Sequence, residues 1–540
     1  MRRARPCLAL LDGVAVGADP VSRLSPFALA RMALRAAREQ RSSVSLWRAM
    51  AARAVVVAPT MQPADMSTLL FAFARLRFRD RDMMSRLAEA TPAILGQFQA
   101  RDITYLLAAF ARLDVQHKLI FNLFAREISR KLHDFTAAQL GELVYAYARL
   151  DLRHDLLLAV LKKRVVEVVK ALKPWHLAMV ANGFARLGVA DERFFTVLAA
   201  EICRKISEFP GKPLALVANA YARLGVRNRF LLELLGDEAF RRRGELEPQA
   251  VALLLNAHAR LQLANPVMYD YFAQDVPRRV KNYSLHSLCL VVSAFAKQRR
   301  ADAALFEKAG DHVCANASAL YPRAVATLLF SFSEVDIRHG VLFYHAPEHV
   351  AKHLTAYSTD ELFMAARAYG CFQMVHLQLF DAITQALPTR VLAGARAPSL
   401  PAGEFEDDPE PLGLEEKPPL ISSLVGAFEA YARLNIYEAS VVQLFCDAIV
   451  KRREELVLPL VVQAARSAAA FSFAHPGLIE LAAGQLAQPG EDAPAEELEA
   501  LARALEELGA GGRTSESRRL ILENPEGSTA GALGVGAAQG

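Results

Sequence analysis

Apolar residues in this chain fall at helical spacing, and the helical pattern itself recurs. Within residues 136–172 the first apolar series is Leu140, Leu143, Val144, Ala146, Tyr147 and Leu150. Steps of three and four place them on one side of an α-helix. Thr136 precedes the series as a capping residue. Asp151 follows it as a turn former, and Asp114, Gly188, Gly225, Asp336 and Asn435 occupy the matching places elsewhere. A second series runs through Leu157, Leu158, Leu161, Val165 and Val168. The stretch predicts two helices joined by a tight turn.

The end of the first helix is a repeated signature: an aromatic, then Ala, Arg and Leu. It starts at Phe73, Phe110, Tyr147, Phe184 and Tyr221, with His258 in the aromatic's place, and worn copies start at Phe295, Phe332 and Tyr369. Every interval is 37 residues. A fixed period of this size marks a stacked repeat architecture. One hairpin cannot bury its apolar stripe alone, whereas a stack of them can. The predicted fold is all-α, an α-solenoid of about 11–12 stacked 37-residue helical hairpins.

The period also divides the chain. Residues 1–23 form a basic segment with the character of a transit peptide, containing Arg2, Arg3, Arg5 and Arg23. Helical repeats are expected over 24–384, the first of them worn, with Trp47 in its second helix. Residues 385–418 break the phase and are rich in Pro, Gly and acids, which reads as a disordered insertion. Repeats resume over 419–509 at Tyr431, and Leu498, Leu501, Leu505 and Leu508 predict a one-sided capping helix. Residues 510–540 read as a disordered low-complexity tail.

Charge changes the picture more than composition does. The net formal charge is +5, but 385–420 carries −4 and 485–540 carries −6, leaving +15 on the remainder. A basic solenoid with acidic appendages suits a polyanionic partner. No segment approaches the ~18 uninterrupted apolar residues of a membrane span. Cys7, Cys203, Cys289, Cys314, Cys371 and Cys446 are scattered, with no CxxC pair, and read as small core residues.

Sequence signatures of catalysis are lacking: no P-loop, no GxGxxG after a strand, no GxSxG and no HExxH. His345, His349 and His353 share a helix face, but Pro347 interrupts it and no Cys or acid partner is evident. The expectation is a protein that is not an enzyme and carries no cofactor and no metal.

The informative polar position lies two residues after the aromatic. It holds Arg75, Arg112, Arg149, Arg186, Arg223 and Arg260, then Lys297, and Arg433 in the resumed array. Four residues earlier, nearly one turn, stand Tyr145, Asn182, Asn219, Asn256 and Ser293 in the corresponding copies. One stripe therefore combines a repeated cation with a variable polar or aromatic residue. Arginine can meet phosphate or stack on bases, asparagine can read base edges and tyrosine can stack. These twelve residues, from Arg75 to Lys297 with their polar neighbours, are the candidate RNA-binding set. The competing role for the arginine is structural, bonding the last carbonyls of its own helix.

With motifs such as MVANGFARLGV (179–189) and LVANAYARLGV (216–226), the array resembles the organellar heptatricopeptide-repeat proteins. It is also similar to the octotricopeptide repeats and to the leucine-rich region of FAST-kinase-like proteins. The resemblance covers about 24–384 and 419–485. It implies a binder of single-stranded RNA, a mitochondrial transcript or ribosomal RNA, acting in RNA processing, stability, editing or ribosome assembly. The implied location is the mitochondrion, alternatively a plastid, with no membrane and no small-molecule substrate. Many such proteins end in a nuclease-like RAP domain, and no RAP domain is seen here. Two other readings stay open. One is a protein-interaction scaffold of armadillo or HEAT type. The other is a structural subunit of a mitochondrial ribosome or editing complex.

Overall fold

The computed structural model describes residues 21–263, 265–391, 419–487 and 493–509. Among these residues there are twenty-five α-helices and no strand. The first twenty-four pair into twelve hairpins, from α1 (Pro26–Arg38) with α2 (Val44–Val57) to α23 (Leu458–Ala470) with α24 (Pro476–Ala487). The last, α25 (Ala495–Glu507), buries Leu498, Leu501 and Leu505 and packs on α23 and α24. The expectations for 1–20, for 392–418 and for the tail 510–540 lie outside the described residues. The phase break itself comes later than the sequence reading placed it. Helix α20 (Leu377–Val391) runs through the first seven residues of the segment read as an insertion. Leu379, Phe380, Ile383 and Leu387 are buried, so the apolar face continues and carries the helix on.

Each hairpin is built by the same local chemistry. In α7 (Ala137–Arg149) Thr136 and Gln139 form a capping box, each side chain accepting the other's backbone N–H at 3.3 and 2.8 Å. The turn after the first helix holds a left-handed residue at 37-residue steps: Arg77, Asp114, Asp151, Gly188, Gly225, Gln262, Arg299, Asp336 and Gln373. The next N–H reaches back to the carbonyl of the signature aromatic, as Leu152 does to Tyr147 at 3.0 Å. This is a Schellman closure. The second helices begin at a matching row of caps. Asp80, His117, His154, Asp191, Asn228 and Asp302 each accept a backbone N–H of the first turn.

The chain divides into two compact units, Met1–Met268 and Tyr269–Gly540, with the boundary inside α14 (Pro266–Arg278). Within the first unit, odd-numbered helices pack against odd neighbours along most of their length. Even-numbered helices meet theirs far less. The same holds within the second unit, over α15 (Leu285–Lys297) to α25. Small residues permit the close approach. A Cβ on Gly183 of α9 (Pro174–Arg186) would sit 2.6 Å from Val144 Cγ1 of α7. The signature aromatics fill the space between the two layers. Tyr147 is 1 % exposed, and its hydroxyl donates to the Phe121 carbonyl of α6 (Lys118–Arg130) at 2.7 Å. Tyr221 does the same to Phe195 of α10 (Glu192–Arg204) at 2.6 Å.

The even layer has its own ties. Lys131 donates to the carbonyls of Gly96 and Phe98 at 2.9 and 2.7 Å and pairs with buried Glu127 at 2.7 Å. Lys205 repeats this on Lys170 and Leu172 at 2.8 and 2.6 Å, with Glu201 as its acid at 2.8 Å. Arg242 reaches Ser207 at 2.6 Å beside Glu238. These ties join successive repeats, because each carbonyl belongs to the turn 33–35 residues earlier.

Of the cysteines, Cys289 and Cys446 are core residues, and burial pushes each thiol up to about 12. Cys371 is exposed, contrary to the core reading. It occupies the place of the repeat arginine, a surface position of the odd helix.

Candidate nucleic-acid interface

On an odd helix, the side opposite the buried aromatic is reached by steps of four, three and four residues. In α7 these positions are Ala138, Glu142, Tyr145 and Arg149, and none of them is buried. In α9 they are Trp175, Met179, Asn182 and Arg186. In α11 (Gly211–Leu224) they are Lys212, Leu216, Asn219 and Arg223. The stripe thus lies on the open face of the closely packed odd layer, away from the even helices.

The arginines hold this face in two ways. Arg75 on α3 (Pro63–Arg75), Arg112 on α5 (Ala100–Arg112) and Arg260 on α13 (Pro248–Arg260) are exposed, as is Lys297 at the end of α15. Arg149, Arg186 and Arg223 are half-buried. Arg149 Nε donates to the Ala111 carbonyl at 2.8 Å, and one terminal nitrogen donates to the Tyr145 hydroxyl at 3.1 Å. The capping role foreseen for this arginine exists, but it serves the preceding odd helix rather than its own. A guanidinium there neutralises the negative end of α5 and joins two repeats.

The asparagines do not project as base readers. Asn182, Asn219 and Asn256 are only 7, 5 and 7 % exposed, and Ser293 is 9 % exposed. Neighbouring odd helices approach so closely that this mid-helix row forms a floor. Tyr145 is half-buried and bonded to Arg149, which places that pair together at the surface.

Sequence reasoning missed the two outer steps of the stripe. They hold Arg101 and Tyr105 on α5, Glu142, Trp175 and Lys212. Tyr105 stacks on Phe71 of α3 with centroids 5.1 Å apart and 28° between planes, and the Arg101 guanidinium lies 5.7 Å from the Tyr105 ring. Burial pushes the Glu142 carboxyl above its ordinary range, against the pull of Arg112. These residues were reachable by counting seven and eleven back from each arginine. Their variability from repeat to repeat hid them.

Charge separates the two units. Residues 1–268 contain 40 Lys and Arg against 24 Asp and Glu, a net +16. Residues 269–540 contain 23 against 34, a net −11. The second unit also neutralises its own stripe. Arg367 of α19 (Thr359–Cys371) donates to Glu334 of α17 (Pro322–Glu334) at 2.8 Å and lies 4.9 Å from the Phe330 ring. Arg433 of α21 (Ile421–Arg433) pairs with Glu429 at 2.7 Å. The net positive charge belongs to the first unit.

The three histidines considered as metal ligands do not form a common site. His349 Nδ1 lies 2.7 Å from the Tyr357 hydroxyl and its Nε2 3.3 Å from the Leu320 carbonyl, while His353 stands beyond the last residue of α18 (Gly340–Lys352). Among the described residues no group of three or more His, Cys, Asp or Glu is placed to hold a metal ion.

Fold and stripe together define an α-solenoid repeat protein with a cationic face on its first unit. Residues 27–155 and 97–376, together 27–376, match the family described as RNA-editing substrate-binding complex 6 protein. That span is more than half of the chain, which therefore belongs to this family. A comparison with curated proteins returns no match. Among solved structures, the chain overlays on a homology model of the full-length AP-3 complex in an intermediate open conformation. The match has 10 % identity and a TM-score of 0.32, and covers 92 % of this chain and 90 % of that one.

Proposed function

We propose that this protein is a non-catalytic, mitochondrial RNA-binding subunit of an RNA-editing assembly, and that its first unit holds a single strand along the open face of the odd helices. The observation that carries this reading is the concentration of net positive charge, +16, in residues 1–268, with its repeated arginines on one face. Cations at successive repeats can follow a phosphate backbone, and the intervening Tyr105, Tyr145 and Phe71 offer ring surface for bases. The family membership agrees, since that family is described by substrate binding in RNA editing. The second unit, acidic and internally paired on the same face, is left for protein contacts within the assembly.

The test is single-stranded RNA binding measured across a salt series. Replacing Arg75 and Arg112 together with Gln is expected to weaken binding and to lower the salt slope by roughly 1–2. Both side chains are exposed, so the melting temperature should stay near that of the parent. Arg149→Gln should lower affinity and also cost about 1.5 kcal/mol of stability, because it removes a charged bond to the Ala111 carbonyl. Unchanged affinity and slope in the double variant would overturn the arginine face as the binding surface.

A further inference from the structure

Resting on the reading of the first unit as an RNA binder, we infer that Trp175 is a base-stacking platform for an unpaired base on this face. The chain has two tryptophans, and they are treated oppositely. Trp47 is 1 % exposed, edge-on to Phe73 with centroids 4.7 Å apart. Trp175 is 45 % exposed, and among the described residues its ring takes part in no ring–ring or cation–ring contact. An exposed tryptophan presents a large, rigid, amphipathic ring at the surface, the kind of body on which a base can stack.

Position gives the ring its partner. Trp175 is the second residue of α9, preceded by exposed Lys173. Equivalent steps on neighbouring odd helices hold Arg101, Ala138 and Lys212. The cations lie one and two helix spacings away, at ~8–10 Å per spacing. Eleven residues further along each helix runs the second row of cations: Arg112, Arg149, Arg186 and Arg223. Eleven residues of helix span roughly 16 Å, a separation of the two rows that suits a single strand. Its floor is Met179, Asn182, Leu216 and Asn219, mostly buried and uncharged. A strand with phosphates against the arginine row turns a base toward Trp175. Base-on-aromatic stacking tolerates any sequence, since every base has a π-face.

The burial of Trp47 makes the test direct, because Trp175 is the solvent-facing reporter in the full chain. Titration with an unlabelled single-stranded oligouridylate is expected to quench tryptophan emission in step with binding followed by anisotropy of a labelled copy. Trp175→Ala should weaken binding on the order of 10-fold and abolish the quench, while Trp175→Phe retains part of the affinity. A duplex of the same length, whose bases are already stacked, should leave emission unchanged. If the oligomer binds but emission does not respond and Trp175→Ala binds as tightly as the parent, the platform is refuted and the RNA-binding reading survives. If the parent chain binds no single-stranded RNA, both fall together. Should the alanine variant melt early, the phenylalanine variant and the parent's quench decide the matter.

Discussion

At the scale of single residues, this structure is held by side chains that answer to carbonyls of the preceding repeat. Tyr147, Tyr221, Lys131, Lys205 and Arg149 all bond main-chain oxygens 26–38 residues earlier. The sequence shows such residues plainly, yet not their partners, because a carbonyl leaves no mark in the amino-acid code. That is why the arginine was legible as a repeated cation while its bond to Ala111 was not. The asparagines went the other way. Their polarity suggested exposure, and the close approach of odd helices buries them instead. Among these residues Glu201 carries a pH consequence. Hydrogen bonds from Arg204, with further help from Lys205, hold its carboxyl down from the ordinary 4.5 to about 2. A group depressed in the folded state stabilises it above the unfolded value, and that contribution is lost as pH falls through the folded one. Stability should therefore decline between about pH 4.5 and pH 2. Denaturant titrations should show Glu201→Gln to be less stable than the parent at pH 6, with the difference closing as pH drops through that window.

At the scale of elements, almost everything was readable. The 37-residue phase fixes the hairpins, the aromatics mark the interlayer core, and the turn formers sit where the backbone turns left-handed, from Asp114 at φ 52° to Gly225 at φ 68°. The register failed near residue 385, where the Pro-, Gly- and acid-rich composition of 385–418 suggested an earlier stop than α20 makes. Helix-to-helix spacing was not readable, since it depends on which faces carry small residues on both partners. Gly370 of α19 shows what that spacing demands. A Cβ there would meet Ala430 Cα of α21 at 2.7 Å. Alanine is the better helix former by ~1 kcal/mol, but the clash is with backbone, which cannot rotate away. Gly370→Ala should destabilise the protein by about 1–3 kcal/mol, visible as a lowered denaturation midpoint. A raised midpoint would show that the odd helices yield more readily than their packing indicates.

At the scale of the whole molecule, one fold is used for two electrostatic purposes. The units share the hairpin, yet one carries +16 and the other −11. Polyanion binding should follow that division. Photo-crosslinking of single-stranded RNA to the full chain, read by mass spectrometry, should place adducts before residue 269 and concentrate them on odd helices. Adducts centred on 269–509 would reverse the assignment of the two units.

The ties along the even layer have a mechanical consequence. Lys131, Lys205 and Arg242 fasten each outer turn to the one before it, but the corresponding place between the first two is Val168, which has no charge to offer. A stack riveted along its back flexes like a leaf spring, and its compliance gathers where a rivet is missing. That joint lies between the turns at Leu132–Asp134 and Val169–Ala171. Ile94 leaves a second such gap, between the turns at Ala58–Thr60 and Thr91–Gln97, so a stretched first unit is expected to open its outer edge at these two joints before the others.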